Sequence, residues 1–137
     1  MDPLISKSEI NLPDVLADLD FAFDQYEAAL VQNNVSVLDK FFWDNPKTVR
    51  YGIAENLYGG EAIRAYRMAC APVPPGRYIT HKKIMSFGRD FGIISVEFTS
   101  PNSEQSGRQM QTWVRFPEGW QIVAAHVSVI SDRLLTP

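Results

Sequence analysis

A single cysteine, Cys70, in 137 residues excludes an internal disulfide. Only two histidines are present, His81 and His126, far apart and without a spaced cysteine or acidic partner, so no metal site is expected. No apolar run approaches the ~18 residues of a spanning helix, and Met1-Asp2-Pro3 has neither the basic start nor the apolar stretch of a signal peptide. A soluble, cytoplasmic protein with no membrane partner is the expectation. Basic charge is scarce and scattered: 13 Lys and Arg against 16 Asp and Glu give a net charge of −3, and no stripe forms that would attract nucleic acid. Internal repeats and low-complexity segments are absent as well.

What is present suffices for one core. A chain of this length with 45% hydrophobic and 12% aromatic residues buries a proper core as one domain and is too short for two. Residues 1–10 are a polar, proline-containing flexible lead expected to fray, and residues 11–137 form the domain. Pro13 stands where a helix begins, and Leu12, Leu16, Leu19, Phe23, Tyr26 and Leu30 recur at steps of three and four. That spacing predicts a long amphipathic helix ending near Asn33-Asn34. Residues 35–42 read as a shorter helix stopped before Pro46, residues 48–53 as a strand, and residues 55–60 as a loop. Residues 61–70 read as a third helix, with Ile63 and either Tyr66 or Arg67 turned inward, and the prolines of residues 71–76 make a connector. Four strands follow, at residues 77–87, 91–100, 108–116 and 120–130. Helices before a meander predict an α+β domain: three N-terminal helices packed on a curved antiparallel sheet, in the order helix-helix-strand-helix-four strands.

The closing hairpin turns at Phe116-Pro117-Glu118-Gly119-Trp120, with Pro where φ is fixed and Gly where φ turns positive. A three-residue loop pairs Phe116 with Trp120 and puts Arg108, Met110 and Thr112 on one face with Ala124, His126 and Ser128. A two-residue turn swaps the faces and brings Gln111 opposite His126. In either register only one of Arg108 and Gln109 can face a cavity. The side carrying Val123, Ala125, Val127 and Val129 is too apolar for water, which predicts a homodimer through that sheet face.

The element order, together with Gly119-Trp120-Gln121-Ile122 and His126-Val127-Ser128, resembles the SnoaL-like branch of the nuclear transport factor 2-like superfamily, a cone of curved sheet around a long helix. More specifically, Phe42-Trp43, Thr48-Val49-Arg50, Glu55-Asn56-Leu57-Tyr58-Gly59, Phe87-Gly88-Arg89-Asp90-Phe91 and Gly107-Arg108-Gln109 resemble the HpxZ/AtzH family of oxalurate and cyanuric acid catabolism. The resemblance covers nearly the whole chain. It implies a decarboxylating amidohydrolase acting on a small anionic carboxylated urea such as 1,3-dicarboxyurea, giving allophanate. It also implies a functional link to an amidase of the same pathway, and a reaction that needs no redox or organic cofactor. A tyrosine on the first helix and an arginine on the first strand are implicated in catalysis in that family; they match Tyr26 and Arg50.

The residue chemistry leaves more than one reading open at each position. Tyr26 lies on an apolar stripe, so it is either a core residue or a hydroxyl pointed into a cavity. Arg50 is either on a solvated strand face or inside a cone, where its planar fork would suit a carboxylate. Arg108, Gln109, His126 and Asn56 are the candidate substrate-binding residues; for Glu55 and Asn56 the competing reading is the turn into the third helix. Two other classes compete with catalysis by Tyr26 and Arg50. One is a ligand-binding or accessory subunit of a neighbouring amidase, since the fold does not fix function. The other is a ketosteroid-type isomerase, for which Glu97 and Asp90 are the nearby strand acids, neither in a convincing apolar setting.

Overall fold

The computed structural model describes residues 4–131. Residues 1–3 of the expected lead and residues 132–137 of the expected domain lie outside the described residues. Helix α1 spans Pro13–Val31 with proline at its first turn, and its buried side is Val15, Leu19, Ala22, Phe23, Tyr26, Ala29 and Leu30. Asn33, at φ 54°, closes the helix: its N–H reaches the Leu30 carbonyl and that of Asn34 the Ala29 carbonyl. Asn34 then caps helix α2, Val35–Phe41, by accepting from the Val37 N–H through its side chain. One Asn-Asn pair thus ends one helix and starts the next. Helix α3 is Gly60–Ala69, with Ile63 and Arg67 buried.

Six strands form one sheet in the order β2-β1-β6-β5-β4-β3. The two short ones, β1 (Val49–Tyr51) and β2 (Asn56–Tyr58), are antiparallel to each other, while the long ones are β3 (Tyr78–Phe87), β4 (Phe91–Thr99), β5 (Gln105–Phe116) and β6 (Gly119–Ser131). The antiparallel expectation needs one correction, because β1 runs parallel to β6, with Arg50 beside Ala125. Residues 56–58, read as loop, become β2 because their backbone groups pair with β1. The helices pack on the concave side, and the core joins α1 and α2 to Ile94, Val96, Trp113, Trp120 and Ile122. The lead does not simply fray. Lys7–Glu9 form a 3-10 turn, the Gly88 N–H donates to the Glu9 carbonyl at 2.9 Å, and Ile10 bridges Phe87. Among the described residues no helix is long and apolar enough to cross a membrane.

The hairpin has the two-residue turn but the base pairing expected of the three-residue loop, and Gln111 stands opposite Ala125, not His126. Phe116 pairs with Gly119, so the turn has two residues, yet Val123 bulges out of β6 and resets the count. Beyond the bulge Met110 faces His126 and Arg108 faces Ser128. The bulge also shifts which alternate residues of β6 point inward, so Trp120 and Ile122 near the turn and Ala125 and Val127 beyond it are all buried. The surface expected on Val123, Ala125, Val127 and Val129 is not a free apolar face: Ala125 is buried in this chain's core and Val127 on its cavity wall.

Candidate functional site

A cavity of about 190 Å³ opens where α1, β1, α3 and the inner face of β5 and β6 meet. Its size suits a small metabolite, well below the ~300 Å³ where pockets for larger ligands begin. Tyr26, Arg50, Tyr66, Arg67, Arg77 and Gln109 bring the polar groups, and Leu30, Phe98 and Val127 form apolar wall.

Arg50 is only 8% exposed, which removes the solvated-face reading. Its Nη1 donates to Glu55 Oε1 at 3.0 Å, and its guanidinium carbon lies 4.9 Å from the Tyr66 ring centre. Gly52 makes this pair possible: a Cβ there would overlap the Glu55 carboxylate and stand 2.9 Å from Arg50 Nη1. Burial pushes the Glu55 carboxyl up, but hydrogen bonds from Arg50 and Tyr66 outweigh it and hold the group below its usual range. Glu55 is therefore an anion at neutral pH.

Tyr26, 2% exposed, sits in an aromatic cage with Phe41, Phe42 and Trp113 edge-on around it. Burial raises its phenol above the ordinary range, against the opposing charges of Arg67 and Arg50, so it stays a proton donor at neutral pH. Arg77 is clamped: its Nε donates to Glu27 Oε1 at 2.7 Å and its guanidinium stacks 3.7 Å from the Phe98 ring centre. Gly107 leaves the space for that ring, which any Cβ at the position would overlap. Arg67 is 7% exposed and donates to Cys70 Sγ at 3.8 Å. Gln109 is 4% exposed, and its Nε2 has no hydrogen-bond partner among the described residues.

Of the residues singled out in the sequence, Tyr26, Arg50 and Gln109 come together here. Arg108, His126 and Asn56 do not, which corrects their expected place in the cavity. Arg108 is exposed on the opposite sheet face, donating to Ser128 Oγ at 3.2 Å, and His126 lies on the same outer face against the Tyr51 ring. Asn56 is exposed on β2. Tyr66, Arg67, Arg77 and Glu27 escaped the sequence reading as members of one site, while Glu55 stood between orienting a substrate and forming a turn. The available signal was Arg67 on the inward side of α3, one turn after Ile63. Glu97 and Asp90, the acids an isomerase would need, are exposed, and Asp90 pairs with Arg115 at 2.9 Å.

A larger hollow of about 510 Å³ lies at the hairpin tip, lined among others by Asp18, Lys40, Glu118 and Trp120. There the Trp120 Nε1–H already donates to Asp18 at 2.9 Å. Buried Arg50, Arg67 and Gln109 all line the smaller cavity, and that makes it the candidate site.

A curved mixed sheet wrapped over a long helix, with a polar cavity at one end, defines an α+β cone of the nuclear transport factor 2-like, cystatin-like class. A solved protein of that class and of unknown function from Pseudomonas putida superposes with a TM-score of 0.70 at 13% identity, over 91% of this chain and 89% of that one. The chain belongs to the AtzH-like family, whose model matches residues 8–133. It is 51% identical to a protein of unknown function from Pectobacterium atrosepticum, with a TM-score of 0.90 over 93% of this chain and 100% of that one. It is 52% identical to a cystatin-like fold protein from Burkholderia xenovorans, with a TM-score of 0.87 over 90% of this chain and 97% of that one. No curated protein matches.

Proposed function

We propose that this protein is a decarboxylating amidohydrolase acting on a small carboxylated urea, 1,3-dicarboxyurea or a close analogue, to give allophanate in cyanuric acid or oxalurate breakdown. The observation that carries the reading is the convergence of a protonated, buried Tyr26 with buried Arg50 in a cavity sized for a small anion. Membership of the AtzH-like family supports the pathway context. In the proposed step the dianion takes up one proton, one N–C bond breaks, carbon dioxide leaves, and the nitrogen left behind holds the proton. Arg50 draws on the charge at the reacting carboxylate end, and Tyr26 supplies the proton or a hydrogen bond as negative charge develops on the leaving nitrogen or its carbonyl. Low dielectric inside the cavity strengthens both interactions. The step calls on no redox or organic cofactor.

Purified protein incubated with 1,3-dicarboxyurea should release carbon dioxide and accumulate allophanate. If it leaves the compound untouched and only co-purifies with an amidase, the accessory-subunit reading replaces this one. A homodimer remains part of the proposal, now through the outer sheet face around Tyr51, Met110 and His126, because the inner face is occupied by α1. A monomer by sedimentation equilibrium removes it.

A further inference from the structure

Three guanidiniums face the cavity, and two carboxylates answer them. Arg50 pairs with Glu55 at 3.0 Å and Arg77 with Glu27 at 2.7 Å. Arg67, although as deeply buried as Arg50, forms no ion pair among the described residues. Its contacts are the Cys70 sulfur at 3.8 Å and the Tyr66 ring, 6.0 Å away at the centroid. Asp39 on α2 feels the charge of Arg67 but stands outside ion-pair distance. A buried cation without a counter-ion is costly, because water has been withdrawn and nothing of opposite sign replaces it.

Gln109 shows the same imbalance in a neutral group. Its Nε2 is buried without an acceptor, and it lines the same cavity as Arg67. Two sets of unmet donors aimed at one hollow describe the ligand that would complete them: a carboxylate for the planar fork, a neutral carbonyl oxygen for the amide. Arg50 and Arg77 suit this task less. Arg50 has Glu55 on Nη1 and Tyr66 over its face, and Arg77 uses two nitrogens on Glu27 while stacked on Phe98.

We propose that Arg67 receives the substrate's carboxylate in this cavity and that Gln109 donates to a neutral oxygen of the same ligand, so that the site selects small carboxylates bearing a carbonyl. This rests on the preceding reading in taking the cavity as the substrate site, and it is independent of the reaction assigned there. Arg67 and Gln109 hold one end of the ligand; Arg50 and Tyr26 are left for the other.

Cys70, the only cysteine of the chain, lines the cavity beside Arg67 and reports on the site without turnover. Its thiolate attacks the methylene carbon of iodoacetate or iodoacetamide, iodide leaves, and intact mass records the adduct. One reagent carries a carboxylate and the other a neutral amide of similar size. Their rate ratio, referenced to free cysteine, isolates the pull on the anion, since any change in thiolate fraction affects both alike. The ratio in the native protein should exceed that of free cysteine by about tenfold, stay partly raised in Arg67→Lys, and fall to the free-cysteine value in Arg67→Gln. Malonate should protect Cys70 in the native protein, and calorimetric titration with malonate should give an affinity about tenfold or more weaker in Arg67→Gln. Circular dichroism checks that each variant is folded; if Arg67→Gln is not, Arg67→Lys and malonate protection of the native protein decide. Equal ratios in the native protein and Arg67→Gln, or equal malonate affinities, would overturn the assignment. A positive labelling result with no turnover of dicarboxyurea keeps the carboxylate site and removes the reaction. Turnover with no effect of Arg67 does the reverse.

Discussion

Replacing Tyr26 by phenylalanine separates its packing from the proton donation proposed for it. The ring, 2% exposed, is packed by Phe41 at 6.1 Å, Phe42 at 6.2 Å and Trp113 at 6.2 Å between centroids. Phenylalanine keeps that packing and removes only the hydroxyl. Loss of one hydroxyl from a buried site changes unfolding free energy by roughly 0.5–1.5 kcal/mol, partly offset because a polar group no longer has to be desolvated. Loss of a positioned proton donor costs ~10²- to 10⁴-fold in turnover, or about 2.7–5.4 kcal/mol at 1.36 kcal/mol per factor of ten. The kinetic effect is therefore larger than the structural one and falls on kcat more than on KM. Carbon dioxide release from 1,3-dicarboxyurea and urea denaturation, measured on the same preparation, give both numbers. Burial raises the phenol above its ordinary range, so Tyr26 should cause no fall in native activity between neutral pH and mildly alkaline pH. A Tyr26→Phe protein with kcat within about threefold of native, accompanied by lower stability, would make Tyr26 a packing residue and refute its role as donor.

Arg50→Lys keeps the charge but loses the fork held between Glu55 and Tyr66, and kcat/KM should fall by about tenfold or more; unchanged kinetics would take Arg50 out of the site. Glu55 has a folded carboxyl held below its ordinary 4.5, so it contributes stability that is fully present above about 4.5 and is lost as the pH drops through the lower folded value. Chemical denaturation from pH 6 down to pH 3 should accordingly show a shallower decline for Glu55→Gln than for the native protein, and parallel curves would contradict the pairing. Gly52→Ala should displace the Glu55 carboxylate, lower stability by roughly 1–3 kcal/mol in a thermal melt and impair turnover; a neutral result would mean that the loop shifts freely. On the outer sheet face, Arg108→Ala and His126→Ala should leave kcat/KM within about twofold, the scale of a surface change of ~0.5 kcal/mol, and a large loss would return them to the site.

The helices and long strands were legible because their signals are local. The periodic stripe of α1, the break at Asn33-Asn34 and the turns flanking β3 to β6 need no tertiary information. Residues 56–58 were not legible as a strand, because three residues become β2 only when β1 offers a ladder. The residue reading of Arg50 as solvated failed for a related reason. Its burial depends on Glu55 and Tyr66 arriving from a loop and from α3, and no periodicity within β1 records that. Tyr26 and Gln109 were recognisable as candidates, Arg67 was legible only as one of two possible inward residues of its helix, and Arg77 was missed because charged residues are ordinarily surface residues. His126 went astray through the assumption that strict alternation carries along β6 from the hairpin turn to its base, and Arg108 through the three-residue turn, which put it on the face of Trp120.

That assumption fails at Val123, and the failure reaches into the chemistry of the cavity. The one-residue bulge acts as a phase shifter between the aromatic tip of β6 and its base: it is why alanine and valine, not histidine and serine, back the site. Were Val123 paired in the ladder while the tip stays seated on α1, strict alternation would bring His126 and Ser128 to the inside and send Ala125 and Val127 out, whereas deleting it would keep Gln111 opposite Ala125 and the same residues inside. Such pairing would exchange an aliphatic wall for a polar one. A chain without the extra residue would line the same cone with the same side chains through an unbroken ladder, and every helix would stay in place.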